Sequence, residues 1–183
     1  TTTFILTMVA NVILSKMRKI EINLYKFEEL SEEAQAKAIK NHQLHSEYEW
    51  WDSILINAEE SGVIIESFDT DKEDISVSFK WEAHDVANAL VKFWGADSDI
   101  GKIGQAFIDD RAKLYDYHEE EFSQPQNTLE EEEDSLVDYF HSDVSHYFLK
   151  QLRDELEWIE SDEYAREYLS DMDYDFMEDG TEY

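Results

Sequence analysis

Beyond Met17 the chain falls into blocks of clear periodicity. In "RKIEINLYKFEEL", Ile20, Ile22 and Leu24 share one face at period two while acids and bases occupy the other, which predicts a strand. Ser31 then opens "SEEAQAKAI", where a serine followed by early glutamates and alanine-rich spacing predicts a capped helix start, with Leu30 placed to staple it. That helix is expected to reach about Glu60, with a break near the polar "NHQLHSE". Two β-patterned runs, 63–68 and 75–81, joined by an acidic turn, predict a hairpin. Helical periodicity follows over 85–94, 100–122, 129–159 and 162–169, with the only proline, Pro125, separating the two longest. At the end, "DMDYDFMEDGTEY" alternates Tyr174 and Phe176 with Asp173 and Asp175, which predicts a last strand and a turn at Asp179 and Gly180.

The expected fold class is therefore α+β: a small antiparallel sheet packed with several helices, the long acidic ones in the C-terminal half. No internal repeat or Pro/Gly/Ser linker interrupts it, so residues 17–183 are expected to form a single acidic domain, preceded by an apolar N-terminal extension, 1–16. That extension, "FILTMVANVIL" at its centre, lacks a basic n-region and a small-x-small site before Lys16, and it is too short to span a bilayer. An extra packed element or an upstream start is expected there instead of a signal peptide.

Composition changes the picture from fold to function. With 42% hydrophobic and 14% aromatic residues the chain can build a core, yet 45 acids stand against 15 Lys and Arg, a formal charge of −30. A small domain needs a net charge of only about 2–8 for solubility, so the excess adds self-repulsion and calls for another reason. The imbalance is local. Residues 1–50 net −1, whereas 126–183 hold 20 acids and three bases, Lys150, Arg153 and Arg166. Such a field repels nucleic acid and anionic membranes and attracts basic proteins or cations. Direct nucleic-acid or membrane binding is not expected, and a chain with no cysteine suits a cytoplasmic setting.

The acids concentrate along two predicted helices. Glu130, Glu131, Glu132, Glu133 and Asp134 form a run that the macrodipole would favour in a first turn. Asp138, Asp154, Glu155, Glu160, Asp162, Glu163 and Glu167 have no such explanation, and like charges three or four apart oppose the helix. Carboxylates at i and i+4 lie about 6 Å apart, close to the spacing of phosphates along one strand, so this surface could occupy the nucleic-acid groove of another protein. Tyr164 and Tyr168, beside these acids, are candidate contact anchors. The five tryptophans are expected in the core.

Other chemistry is weaker. Asp171, Asp173, Asp175 and Glu182 match EF-hand positions 1, 3, 5 and 12, but Phe176 stands where the loop needs glycine, and "DTDKEDISVSFK" also lacks it. His42 with His45 and His141 with His146 lack a third ligand of defined spacing. No Walker loop, dinucleotide turn, G-x-S-x-G or H-E-x-x-H occurs, so neither an enzyme nor a metal or other cofactor is expected.

At "MRKIEINLYKFEELSEEAQAKAI" and "YDFMEDGTEY" the sequence resembles a loosely defined group of largely uncharacterised phage and prophage proteins. They share a basic-apolar strand leading into a Y-x-F-x-E-L-S-x-E-A helix start, and an acidic aromatic ending with a D-G turn. The resemblance implies a mobile-element protein acting in a host cell, similar in general character to phage anti-CRISPR and anti-restriction inhibitors, which are compact, acidic and without catalytic motifs. The partner so implied is a basic host defence nuclease. An acidic interaction module, for example a homodimeric phage accessory protein binding through an aromatic patch, is the alternative.

Overall fold

The structure, a computed structural model, describes residues 21–45, 49–120 and 126–183; the N-terminal extension and Pro125 lie outside the described residues. A 3-10 turn, Phe27–Glu29, precedes α1 (Glu32–His45) and α2 (Asp52–Glu60). The hairpin β1 (Val63–Asp69) and β2 (Asp74–Phe79) leads into α3 (Ala83–Trp94), α4 (Asp99–Glu120), α5 (Gln126–Ile159) and α6 (Asp162–Asp171). The class is α+β, with a two-stranded antiparallel sheet and long helices in the C-terminal half. The hairpin and the long helices fall within two or three residues of their expected bounds. Contacts group the described residues into two compact units, 21–45 with 162–183 and the described part of 47–161.

In the larger unit the hairpin pairs Val63 with Phe79, Ile65 with Val77 and Phe68 with Ile75, and a bulge at Glu66 absorbs one extra residue of β1. Val63 and Val77 are buried and pack with Val86, Ala87 and Leu90 of α3, Ile100 and Phe107 of α4, and Phe140, Val144 and Phe148 of α5. The i, i+4, i+8 spacing of the last three gives α5 one apolar stripe. The Phe140 ring stacks on Phe107 with centroids 4.5 Å apart. Helices α3 and α4 approach so closely at Gly104 that a Cβ there would lie 2.7 Å from the Ala87 carbonyl oxygen and 3.2 Å from a Val91 methyl. Only glycine fits that contact.

In the smaller unit Ser31 caps α1 as its sequence predicts: the Ala34 N–H donates to Ser31 Oγ at 3.3 Å. Leu30, Ala34, Ala38 and Ile39 are buried with Phe27, Ala165 and Leu169 of α6, and Phe176. Among the described residues two sequence-based strands are not formed here; Ile20 of the first lies outside them. Tyr25 and Phe176 exchange backbone hydrogen bonds of 2.9 Å each way, and Phe176 also bridges Glu182, but neither bridge extends into a ladder. Ile22 and Leu24 are 47% and 37% exposed. The alternation was present at both ends, but a strand needs a neighbour along its length, and each of these segments finds one at a single residue. The expected D-G turn does form, with Gly180 at φ +80° and its N–H donating to the Met177 carbonyl at 2.9 Å.

Trp94 is partly buried and packs against the larger core as expected, whereas the other four tryptophans lie outside the buried core, which corrects their expected placement. Trp50 and Trp51 lie edge-on to Phe68, and Trp81 and Trp158 are exposed. Phenylalanine and aliphatic side chains, with no N–H to satisfy, fill the interior instead.

Candidate acidic interface

Helix α5, at 34 residues, spans about 50 Å. It begins at Gln126, three residues ahead of its expected start, so the acidic run 130–134 lies beyond the first turn, which holds no acid. The macrodipole acts mainly within that first turn and accounts for less of the run than its sequence position suggests.

The run divides by helical angle. Glu133 lies on the side that faces α4, where Arg111 Nε donates to its Oε1 at 2.7 Å and the Tyr115 hydroxyl donates to its Oε2 at 2.6 Å. The Tyr115 hydrogen bond, aided by Arg111 and opposed by burial, holds the Glu133 carboxyl below its usual range. The Arg111 guanidinium also sits 4.7 Å from the centre of the Tyr115 ring. Glu132 lies 3.2 Å from His118 Nε2, again on α4. These two acids tie one helix to the other. Glu130, Glu131 and Asp134 are exposed, as is Asp138 one turn on. Glu130, Asp134 and Asp138, spaced by four, form a row on one side of the helix, and no ion pair among the described residues involves them.

The remaining expected contact residues scatter. Asp154 pairs with Lys150 on its own helix, Glu155 is half-buried, and Glu160 lies past the end of α5. Asp162, Glu163, Tyr164, Glu167 and Tyr168 belong to the smaller unit. There Asp162 and Glu163 occupy the first turn of α6, where the macrodipole favours acids, which corrects the expectation that helix physics leaves them unexplained; Asp162 also accepts a 3.1 Å hydrogen bond from Gln43, and Glu163 and Glu167 are exposed. Tyr168 stacks on His42 at 4.6 Å and on Tyr164 at 6.1 Å, so much of its ring is already covered.

A groove beside the acidic row was not foreseen from sequence. With a volume of 570 Å³, it runs between the end of β2, the start of α3 and the facing sides of α4 and α5. Phe79, Trp81, Glu82 and His84 line one side, and Arg111, Glu130, Glu133 and Asp134 the other. Trp81 rests on Gly62, where a Cβ would approach its ring to 2.5 Å, and the indole remains 45% exposed. Nothing in spacing or periodicity relates Trp81 to Glu130; the one available signal was a large aromatic placed between a strand and a helix start.

The two acidic loops are satisfied by lysines. Lys26 Nζ lies 2.6 Å from Asp173 and 2.8 Å from Asp175, and hydrogen bonds from these carboxylates raise its pKa to about 12. Lys72 pairs with Asp69 in the hairpin turn. Among the described residues no cluster of three or more acids and histidines is arranged to hold a metal. His141 Nε2 lies 2.8 Å from the Val77 carbonyl and His146 Nδ1 2.8 Å from the Ser142 carbonyl, so each has a local structural contact; the side chain of His45 lies outside the described residues. Among the described residues no helix is long and apolar enough to cross a membrane.

No family model matches the chain, and no curated protein or solved structure matches it either.

Proposed function

We propose that this protein is a phage-type inhibitor that acts in the host cytoplasm by binding a basic nucleic-acid-binding defence protein, a CRISPR nuclease or a restriction enzyme, with carboxylates standing where phosphates would. The observation that carries this reading is the row Glu130, Asp134 and Asp138, exposed and free of ion pairs among the described residues, on a helix whose other side is anchored in the larger core. Such a row holds its spacing of about 6 Å per turn without cost at the moment of binding. The charge of the C-terminal third, 20 acids against three bases, extends the field well beyond these three groups. No catalytic step is part of this reading.

The test is capture of host proteins on immobilised protein at low and high salt, followed by a nucleic-acid competition assay on the captured target. Exposed charge is screened within about 8–10 Å at physiological ionic strength, so retention should fall steeply with salt, and saturating protein should displace the target's DNA or RNA. A variant with Glu130→Gln, Asp134→Asn and Asp138→Asn should bind several-fold more weakly and with a shallower salt slope. A target that keeps its full affinity for nucleic acid in the saturated complex removes mimicry from the mechanism.

The aromatic-patch alternative draws on Tyr139, 73% exposed on α5 between Asp138 and Asp143. Binding that survives high salt and is lost in Tyr139→Ala would favour it.

A further inference from the structure

Resting on the reading of a basic protein partner, we propose that the groove beside the acidic row is the anchor site for an arginine side chain of that partner, which stacks on Trp81 between the carboxylates of Glu82, Glu130 and Asp134. The volume of 570 Å³ falls within the range of about 300–1,000 Å³ typical of ligand pockets, and holds a side chain with the backbone beside it.

Three observations select the occupant. The walls carry four carboxylates and one guanidinium, and that guanidinium, Arg111, is already engaged by Glu133 and Tyr115. Glu82, Glu130 and Asp134 are left as a negative rim, and none of the three forms an ion pair among the described residues. The second observation is the indole. Trp81 packs against Gly62, which has no side chain, remains 45% exposed and lines the groove, and an exposed tryptophan among carboxylates is the arrangement that attracts a cation to a ring face. A guanidinium fits better than an ammonium, because its plane stacks on the ring while its N–H fork reaches carboxylates at the edge. The third is His84, which lines the same groove and whose Nδ1 is buried without a hydrogen-bond partner. With the imidazole turned toward the groove, an incoming peptide carbonyl or N–H would supply the partner that the fold itself does not.

The site differs in kind from the row on α5. An exposed row gives a diffuse attraction, whereas a groove with an aromatic wall gives a localised contact that salt screens less. The probe is the blocked tripeptide acetyl-Arg-Arg-Arg-amide, with its citrulline counterpart as a neutral control of the same shape. Indole N–H resonances of the intact chain are followed during titration at low salt, and the Trp81 signal is assigned by its loss in Trp81→Phe. The Trp81 resonance should shift saturably with the arginine peptide and stay still with the citrulline peptide. Affinity should fall by about five-fold or more in Trp81→Ala, and by a similar factor in Glu130→Gln with Asp134→Asn, a pair of surface changes that leaves the indole in place. If the arginine peptide binds while the Trp81 signal is unmoved, or if both variants bind as wild type does, the groove is not the anchor, and the basic-partner reading stands without it. If the arginine peptide does not bind at all, the groove proposal fails, while the basic-partner reading is decided separately by the capture and competition test.

Discussion

In the smaller unit Lys26 sits between Asp173 and Asp175 and Lys37 holds Asp179 at 2.6 Å, whereas on α5 of the larger unit Glu130, Asp134 and Asp138 stand exposed without a lysine or arginine among the described residues. The smaller unit uses its acids as a clasp: these pairs join its N-terminal segment and α1 to the chain end, where backbone pairing amounts to isolated bridges. In the larger unit, packing of four helices on a hairpin does that work, and Glu132 and Glu133 are drawn into helix pairing. Acidity by itself therefore says little about purpose. What separates a structural carboxylate from one available to a partner is whether the fold has placed a cation beside it.

The strongest way to break this comparison is to damage each core separately. Phe176→Ala and Phe148→Ala each remove a ring that is at most 2% exposed, and each should cost about 3–5 kcal/mol. Hydrogen exchange should show protection lost in α1 and α6 for the first, and in the hairpin and α3–α5 for the second. Loss spread evenly over the chain in either variant would mean that the two units unfold as the single domain that the sequence suggests.

A smaller effect should appear with acid. Hydrogen bonds from Lys37 and Thr181 hold the Asp179 carboxyl down at about 2, against 3.8 for a free one. Its folded-state value is the lower, so its contribution to stability is present above 3.8 and is lost as pH falls through 2. On the basic side, Lys26 is raised to about 12 from 10.5, so its contribution is complete below 10.5 and disappears as pH rises through 12. The Gly180 amide resonance should report the acid step in the wild type, and the step should move to higher pH in Lys37→Met. An unchanged titration would remove Lys37 from the clasp.

The smallest effect should come from the acids on the row. Glu130→Gln, Asp134→Asn and Asp138→Asn together should change stability by no more than about 0.5 kcal/mol, because no cation is lost and mutual repulsion is relieved. Urea denaturation measures this directly. A larger loss would give these residues a structural role and weaken their contrast with the clasp.

The helices and hairpin were legible because their signals are local: Ser31 and its alanines, the β-branched runs about the acidic turn, and apolar residues spaced along α5. What failed was information held by a distant partner. Ile22 and Leu24 alternate as a strand should, yet the neighbour they need is not paired beside them. The run at 130–134 looked uniform in sequence, and it took helical angle and the position of Arg111 to separate Glu133 from Asp134. The groove was invisible for the same reason, since Trp81 and Glu130 meet only through the packing of α3, α4 and α5.

The contact at Gly104 has a consequence for how tightly anything can be held. With the backbone of α3 pressed against α4 where no side chain intervenes, the two helices have little room to shift, and they carry His84 and Arg111 on facing walls of the groove. A side chain entering the groove as proposed would thus meet walls that need little rearrangement. Little interaction energy is then diverted to ordering the host, so even a few contacts can register as affinity. Widening that helix contact with Gly104→Ala would leave every groove-lining residue chemically intact and still blunt recognition through lost preorganisation alone.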